Sequence, residues 1–207
     1  MVLGPVERLL SKLARVCRHA PHSAYLAVEV RLHHDQPRPC GDSGQGMIST
    51  HLSFRLPDAA WMLEFSAEAL RTFSENAQHH RWSKESVGQL FTRDLTSTRV
   101  LVEASTLLKP TLATRARVRF DTAAASAERQ AMFERGLHCV GLWHTHPEPA
   151  PEPSPEDRAL ARDHAMAAMP QVSGVVFVIV GTLPVPAGLR VWVDNGHQLR
   201  PAALEDA

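Results

Sequence analysis

The sequence predicts a domain of the α/β or α+β class, in which a mixed β-sheet lies between helices. Short apolar segments typical of strands alternate along the chain with segments of helical periodicity. The segment 172–183 is almost wholly apolar, as expected of a central strand covered on both faces. Hydrophobic residues make up 44% of the 207 residues, enough to form the core of one ordinary domain.

The first 57 residues are predicted to form an N-terminal extension of this domain. Residues 5–19 have one apolar and one charged helical face, and residues 24–32 have the composition of a strand. Residues 34–46 are rich in Pro, Gly and Asp and are predicted to be a loop, before an alternating segment at 48–56. The pattern is compatible with three roles: packing on the sheet, binding a partner protein, or dimerisation.

The main domain is predicted to span residues 58–198, with a C-terminal tail over 199–207. Its predicted strands are 61–65, 85–94, 98–108, 116–120, 137–143, 172–183 and 188–194. The predicted helices begin at the N-cap Ser66 and run to about residue 80, span 123–136 with Gly136 after the last turn, and span 155–169 before Pro170.

Composition argues against several classes of protein. Lys plus Arg and Asp plus Glu each number 22, and this zero net charge does not favour a nucleic-acid partner. The three cysteines are odd in number and widely spaced, which indicates neither a disulfide framework nor a CxxC site. Because no long apolar segment or signal peptide is present, we expect a cytoplasmic protein that does not enter the membrane.

Two histidines at the end of the strand 137–143 form a candidate metal site. Residues i and i+2 of a strand project to the same face, so His144 and His146 lie side by side and Thr145 points away. Two imidazoles placed in this way can bind one cation at about 2.0–2.1 Å.

A proline-rich segment follows the histidines. Residues 147–153 have proline at every second position, which favours an extended and stiff path. We interpret Glu148 and Glu152 in this segment as solvated charges.

A helix start follows the proline-rich segment. Ser154 is a hydroxyl N-cap, Pro155 takes the first helical position and Asp157 takes the third. The carboxylate of Asp157 can cap the helix or turn toward the two histidines. As a third ligand it would leave the fourth tetrahedral position to water, as in catalytic zinc sites. Ligand types of this kind also suit iron or cobalt.

The arrangement His144, His146, Ser154 and Asp157 matches the pattern HxHx₇SxxD and resembles the JAMM (JAB1/MPN/Mov34) metalloprotease family. The resemblance covers about residues 60–195 and is greatest to prokaryotic JAB-domain peptidases, including those of ubiquitin-like conjugation operons in antiphage defence. It implies a JAB/MPN fold with a curved mixed sheet flanked by helices. It also implies one zinc ion held by His144, His146 and Asp157, and hydrolysis of the bond after the C-terminus of a ubiquitin-like protein.

The same resemblance identifies Glu85. The family places a catalytic glutamate in an E-x-x-G-x-L context after its first helix, and this sequence has Glu85, Gly88 and Leu90 at those positions. The resemblance implies that Glu85 acts as general base and then general acid. It also implies that zinc activates water and polarises the scissile carbonyl group, and that Ser154 donates a hydrogen bond to the oxyanion.

The expected partners are a ubiquitin-like protein, as conjugate or precursor, and E1- and E2-like proteins of the same pathway. Two alternatives stand beside this hypothesis. One is an MPN-type scaffold that binds partners without chemistry, although such scaffolds usually lack some ligands. The other is a RadC-like protein linked to DNA repair, although the chain has no basic bias and its upstream region does not resemble RadC. Trp143, next to the first histidine, is predicted to pack in the core.

Overall fold

The computed structural model describes residues 51–169 and 171–205. The predicted helix 5–19, strand 24–32 and loop 34–46 lie outside these ranges, and so does Pro170. In the described ranges, no helix combines the length and the apolar character needed to span a membrane.

The described chain forms three helices and eleven strands. The helices are α1 (Ala67–Asn76), α2 (Thr122–Glu134) and α3 (Pro155–Ala168). The strands are β1 (Leu52–Arg55), β2 (Met62–Phe65), β3 (Val87–Thr92), β4 (Arg99–Val102), β5 (Ala104–Ser105), β6 (Pro110–Ala113), β7 (Val118–Phe120), β8 (His138–Thr145), β9 (Val175–Val180), β10 (Leu189–Asp194) and β11 (Leu199–Leu204).

Nine strands form one curved mixed sheet, in the order β4-β2-β1-β11-β10-β9-β8-β3-β5. The pairs β2–β4 and β8–β9 are parallel, and the other pairs are antiparallel. The two edge strands, β4 and β5, are separated along the chain by one residue, Glu103. The sheet must therefore curve far enough to bring its edges together. This result confirms the predicted mixed sheet with flanking helices.

Strands β6 and β7 form a separate two-stranded hairpin. Only β7 was expected, because Pro110 opens β6 and proline favours loops over strands. The hairpin is bonded to the loop before β3, where the backbone N–H of Glu85 donates to the carbonyl oxygen of Thr114 at 2.8 Å.

Two strands of the sheet lie outside the predicted boundaries of the main domain. Strand β1 was placed in the N-terminal extension and β11 in the C-terminal tail, yet the two strands pair with each other and β11 also pairs with β10. The residues of β11 are exposed or half-buried and include Pro201, so they show no alternation of apolar and polar side chains. Pairing with β10, rather than local pattern, makes this segment a strand.

The first helix is shorter than predicted. It begins at the N-cap Ser66, as expected, but ends at Asn76 rather than near residue 80. The chain leaves the helix at Ala77 and Gln78 becomes buried. The Nε2 atom of Gln78 donates to the carbonyl oxygens of Ser83 at 3.1 Å and Arg115 at 2.8 Å. These contacts need the chain to turn back toward the hairpin, which a continued helix would prevent.

The predicted strand 98–108 divides at the edges of the sheet. Its first half is β4, which pairs with β2, and its second half is β5, which pairs with β3. The second helix begins at the N-cap Asp121, and Gly136 follows it with φ of 75°, as predicted for the residue after a helix end.

The main core lies inside the curve of the sheet, against α1. Trp143 of β8 is fully buried there, and its ring packs against Phe73 at a centroid distance of 5.3 Å. Its indole N–H donates to the carbonyl oxygen of Thr106 at 2.8 Å. A Cβ atom at Gly88 would lie 1.8 Å from that same oxygen, so only glycine fits there. Trp143 is therefore a core residue, as predicted.

Candidate metal centre

The two histidines project from the end of β8 into one cavity. His144 is the penultimate residue of the strand, and His146 follows it with its backbone N–H bonded to the carbonyl oxygen of Val180 at 2.9 Å. The two Nε2 atoms lie 3.0 Å apart. His144 is buried against the ring of Phe177, at a centroid distance of 5.2 Å. The predicted pairing of the imidazoles on one face is therefore present.

Asp157 joins the histidines from the first turn of α3. Its Oδ1 atom lies 3.2 Å from His144 Nε2, and its Oδ2 atom lies 3.3 Å from His146 Nε2. The same Oδ2 atom accepts a hydrogen bond from the backbone N–H of Ser154 at 2.8 Å. The two roles considered for this carboxylate are thus compatible: one oxygen caps the helix while both face the imidazoles.

The separations among these atoms suit a small tetrahedral cation. The ligand atoms of His144, His146 and Asp157 all lie within 4.8 Å of one another. A tetrahedral ion with bonds of about 2.0–2.1 Å separates neighbouring ligand atoms by about 3.3 Å. The two Nε2 atoms lie 3.0 Å apart, and each lies at a similar distance from a different oxygen of Asp157, 3.2 Å for His144 and 3.3 Å for His146. The residues present therefore fit a zinc-type site with two nitrogen ligands and one oxygen ligand.

Electrostatics keep the Asp157 carboxylate ionised. Burial opposes ionisation, but hydrogen bonds from His144, His146 and Ser154 outweigh it and hold the pKa of Asp157 well below its usual range. Burial alone would lower the pKa of His146. The hydrogen bond and charge of Asp157, with the charges of Glu85 and Glu148, instead raise it. Acidic groups therefore surround the ring of His146.

Glu148 contacts His146 from the far side of the ring. One oxygen of its carboxylate lies 3.3 Å from His146 Nδ1, although 57% of the side chain is exposed. Glu148 is exposed, in agreement with its interpretation as a solvated charge, and this contact with His146 adds to that interpretation. A carboxylate at Nδ1 orients the ring so that Nε2 faces the metal position, as in many metal sites. Glu152 is exposed, in agreement with its interpretation as a solvated charge.

The proline-rich segment is bent and anchored rather than straight. Residues 147–150 form bends, and the carbonyl oxygen of Glu148 accepts a hydrogen bond from the backbone N–H of Thr182 at 2.9 Å. Pro151 and Pro153 are buried. The expectation of an extended path is therefore wrong for the first half of the segment, because contact with the end of β9 bends it. The anchored segment brings Ser154 and Asp157 back to the histidines.

Glu85 reaches the same cavity from the loop before β3. Its backbone is held on one side by Thr114 and, through Ser86, on the other side by Thr145. The hydroxyl group of Thr145 accepts from the backbone N–H of Ser86 at 3.0 Å. Gln78 secures the preceding loop through the carbonyl oxygens described above. No motif in the sequence distinguished Gln78, because a buried amide after a helix has no local pattern.

The Glu85 side chain has properties suited to proton transfer. Burial, as the largest effect, raises the pKa of Glu85 to about 7. The negative charges of Asp157 and Glu148 raise this pKa further, and His146 opposes them. A carboxyl group that titrates near neutrality can both accept and return a proton.

Ser154 caps α3 and also lines the cavity. Its Oγ atom accepts from the backbone N–H of Asp157 at 3.1 Å, which completes a capping box with Asp157. Because this bond uses a lone pair of the oxygen, the hydroxyl proton stays available as a donor. The cavity that Ser154 lines has a volume of about 890 Å³ and contains Glu85, His144, His146 and Asp157.

A sequence profile of the family described as prokaryotic homologs of the JAB domain matches residues 66–194. The solved structures that match the chain include a protein from Desulfitobacterium hafniense, with 16% identity and a TM-score of 0.47, covering 69% of this chain and 88% of that chain. They also include a JAB1/MPN domain protein from Archaeoglobus fulgidus, with 16% identity and a TM-score of 0.35, covering 69% of this chain and 93% of that chain. No curated protein matches the sequence. Because the matched segment covers more than half of the sequence, the chain belongs to the family of prokaryotic JAB-domain homologs.

Proposed function

We propose that the protein is a zinc-dependent isopeptidase or peptidase. Its substrate is a ubiquitin-like protein, in a conjugate or a precursor, and the bond after the C-terminus of that protein is hydrolysed. We place this activity in the cytoplasm, in a bacterial ubiquitin-like conjugation pathway such as those of antiphage defence. The observation that carries the proposal is the meeting of Glu85 with His144, His146 and Asp157 in one cavity.

The metal would be held by His144, His146 and Asp157. When bound there, zinc supplies a Lewis acid that acidifies water and polarises a carbonyl group. Glu148 orients the ring of His146, and the helix cap formed by Ser154 fixes the carboxylate of Asp157. These contacts arrange the ligand atoms before the cation arrives.

Glu85 is the proton carrier in this proposal. It accepts a proton from the attacking water and returns that proton to the leaving amine. In an isopeptide, that amine is a lysine side chain. In the metal-free site, burial raises the pKa of Glu85 to about 7, so this carboxyl group is a stronger base than an exposed glutamate.

Ser154 stabilises the transition state. Its hydroxyl group donates a hydrogen bond to the oxygen of the scissile carbonyl group as negative charge develops on that oxygen. Removing one such donor typically costs about 10²–10³ in rate. The substrate tail is expected to lie extended in the cavity between the metal ligands and the β6–β7 hairpin.

A catalytic function accounts for the residues of this site better than a scaffold function without chemistry does. A scaffold needs no buried glutamate with a raised pKa, and the desolvation of Glu85 is unfavourable for an ionised carboxylate. A functional reason is therefore needed for keeping Glu85 beside three potential metal ligands.

The test is the substitution Glu85→Gln, with Glu75→Gln as the matched control. Glu75 lies on an exposed face of α1 and is 66% exposed. The substrate is a ubiquitin-like protein from an operon that also encodes E1- and E2-like enzymes, extended by a short peptide after its C-terminal glycine. We expect one zinc per chain by elemental analysis in all three proteins, and cleavage by the parent and Glu75→Gln only. Substantial cleavage by Glu85→Gln would contradict the assignment.

A further inference from the structure

The β6–β7 hairpin concentrates positive charge in a chain whose net charge is zero. Residues 104–120 contain Lys109, Arg115, Arg117 and Arg119 and no acidic residue. The composition of the whole chain conceals this excess, because acidic residues elsewhere balance it. The hairpin therefore has a local field that differs from that of the protein as a whole.

Two of these arginines lie in the wall of the cavity that holds the metal centre. Arg117 and Arg119 both line it, together with Glu85 and the histidines. Val118 and Phe120, which alternate with them, pack toward Val87 and Leu108. Both arginine side chains are exposed, Arg119 within β7 and Arg117 directly before it.

Neither guanidinium group has an acidic partner within the described part of the chain. In residues 51–169 and 171–205, no carboxylate oxygen lies within the 4.0 Å limit of an ion pair from Arg117 or Arg119. By contrast, Arg55, Arg93 and Arg99 each pair with a glutamate. The two cavity arginines therefore keep their donors available to a ligand.

Acidic residues from other elements line the same cavity. They are Glu148, Glu156 and Asp157, of which Asp157 belongs to the candidate metal centre. A nucleic-acid strand has a negative charge at every phosphate, so these carboxylates would repel it. A peptide with acidic side chains beside the arginines and uncharged residues beside the carboxylates would suit both groups.

We propose that Arg117 and Arg119 bind acidic side chains at alternate positions of the substrate segment that precedes the scissile bond. In an extended peptide, side chains two residues apart project from the same face, about 6.6–6.8 Å apart. The two arginines are likewise two residues apart in the chain. This inference rests on the proposed peptidase function. It adds a charge preference that separates acidic tails from basic ones.

Two fluorogenic peptides test the preference. They are acetyl-Asp-Leu-Asp-Gly-Gly-aminomethylcoumarin and acetyl-Arg-Leu-Arg-Gly-Gly-aminomethylcoumarin, assayed with the zinc-loaded full chain. We expect kcat/KM to be at least about tenfold higher for the acidic peptide. The double variant Arg117→Glu/Arg119→Glu should reverse the preference.

A matched double variant controls for net charge. Arg71→Glu/Lys109→Glu changes the charge of the chain by the same amount, and neither residue lines the cavity. This variant should keep the preference of the parent. An acidic preference that survives reversal of Arg117 and Arg119, or equal rates for both peptides, would overturn the proposal.

Binding measurements separate this inference from the proposed function. Fluorescein-labelled forms of the two peptides and a 12-nucleotide single-stranded DNA are titrated with each protein, and anisotropy is followed. If no peptide is cleaved, the peptidase function fails. Tighter binding of the acidic peptide that is lost in Arg117→Glu/Arg119→Glu still supports the arginine site. Equal binding of both peptides, or tighter binding of the DNA, rejects it.

Discussion

Thr145 and Ser86 bind each other through a reciprocal pair of hydrogen bonds. The backbone N–H of Thr145 donates to the carbonyl oxygen of Ser86 at 3.0 Å, and the backbone N–H of Ser86 donates to the hydroxyl oxygen of Thr145 at 3.0 Å. Thr145 stands between the two histidines, and Ser86 follows Glu85 directly. The residue that points away from the metal position therefore links the two halves of the site.

The first prediction concerns this link. Thr145→Val removes the hydroxyl oxygen but keeps the volume and branching of a side chain that is fully buried. The backbone N–H of Ser86 then loses its partner, which costs about 1–3 kcal/mol and loosens Glu85. We expect unchanged zinc content with kcat reduced about tenfold or more, since small displacements of catalytic groups are costly.

Thr145→Ser is the matched control, because it keeps the acceptor oxygen. It should retain most of the turnover of the parent, with a modest loss of stability from the missing methyl group. Equal kcat values for the Val and Ser variants would show that the bond does not position Glu85.

The second prediction separates metal binding from helix capping at Asp157. Asp157→Ala removes the oxygen ligand and one half of the capping box, so zinc affinity should fall by more than about 100-fold. Ser154→Ala removes the other half of the box, at a cost of about 1 kcal/mol, and keeps all three ligands. Titration with a competing chelator measures both affinities. A Ser154→Ala variant that lost zinc as completely as Asp157→Ala would show that the cap, not the ligand, matters.

The third prediction is a pH dependence set by Glu85. The general base must be ionised, and burial raises its pKa to about 7 in the metal-free protein, whereas a bound cation opposes that rise. The kcat/KM of the zinc-loaded protein should therefore fall on the acid side of neutrality, as the pH drops through the pKa of Glu85. A pH profile on the zinc-loaded protein checks this. A profile with no acidic limb would be inconsistent with Glu85 as the base.

The same carboxyl group affects stability in the metal-free protein. Its pKa is raised from 4.5 in the unfolded chain to about 7, so the folded state binds the proton more tightly. Stability is therefore lost as the pH rises from about 4.5 to 7, and each whole step in pKa corresponds to about 1.4 kcal/mol. Glu85→Gln should remove this dependence and stabilise the metal-free protein by up to about 3 kcal/mol at pH 8. Denaturant unfolding with a chelator present measures it.

The fourth prediction concerns Glu148. Glu148→Gln weakens the interaction with His146 Nδ1, and loss of such outer contacts typically lowers metal affinity about 10–100-fold. Because the side chain is 57% exposed, we expect the lower end of that range. Glu152→Gln, in the same proline-rich segment but exposed and away from the histidines, should bind zinc like the parent. Equal affinities in the two variants would remove Glu148 from the site.

The histidines and the helix cap were predictable because their geometry is local. Positions i and i+2 of a strand share a face wherever the strand lies, and a serine followed by proline begins a helix with little help from the rest of the chain. The hydrogen bond from Gln78 to Arg115 was not predictable, because it joins residues 37 positions apart. Strand β11 was missed for a related reason, since only pairing with β10 distinguishes it from a tail.

The types of candidate ligand, their spacing and the helix that carries Asp157 could be predicted from the sequence, because each depends on a few consecutive residues. The tertiary structure was needed to show that Asp157 faces both imidazoles, that Glu148 contacts the ring of His146, and that Arg117 and Arg119 line the same cavity. The reason is that distances between side chains far apart in sequence are set by the curvature of the sheet and by hydrogen bonds between loops. Charge is another example, because the chain has no net charge and yet its cavity is lined by residues of both signs.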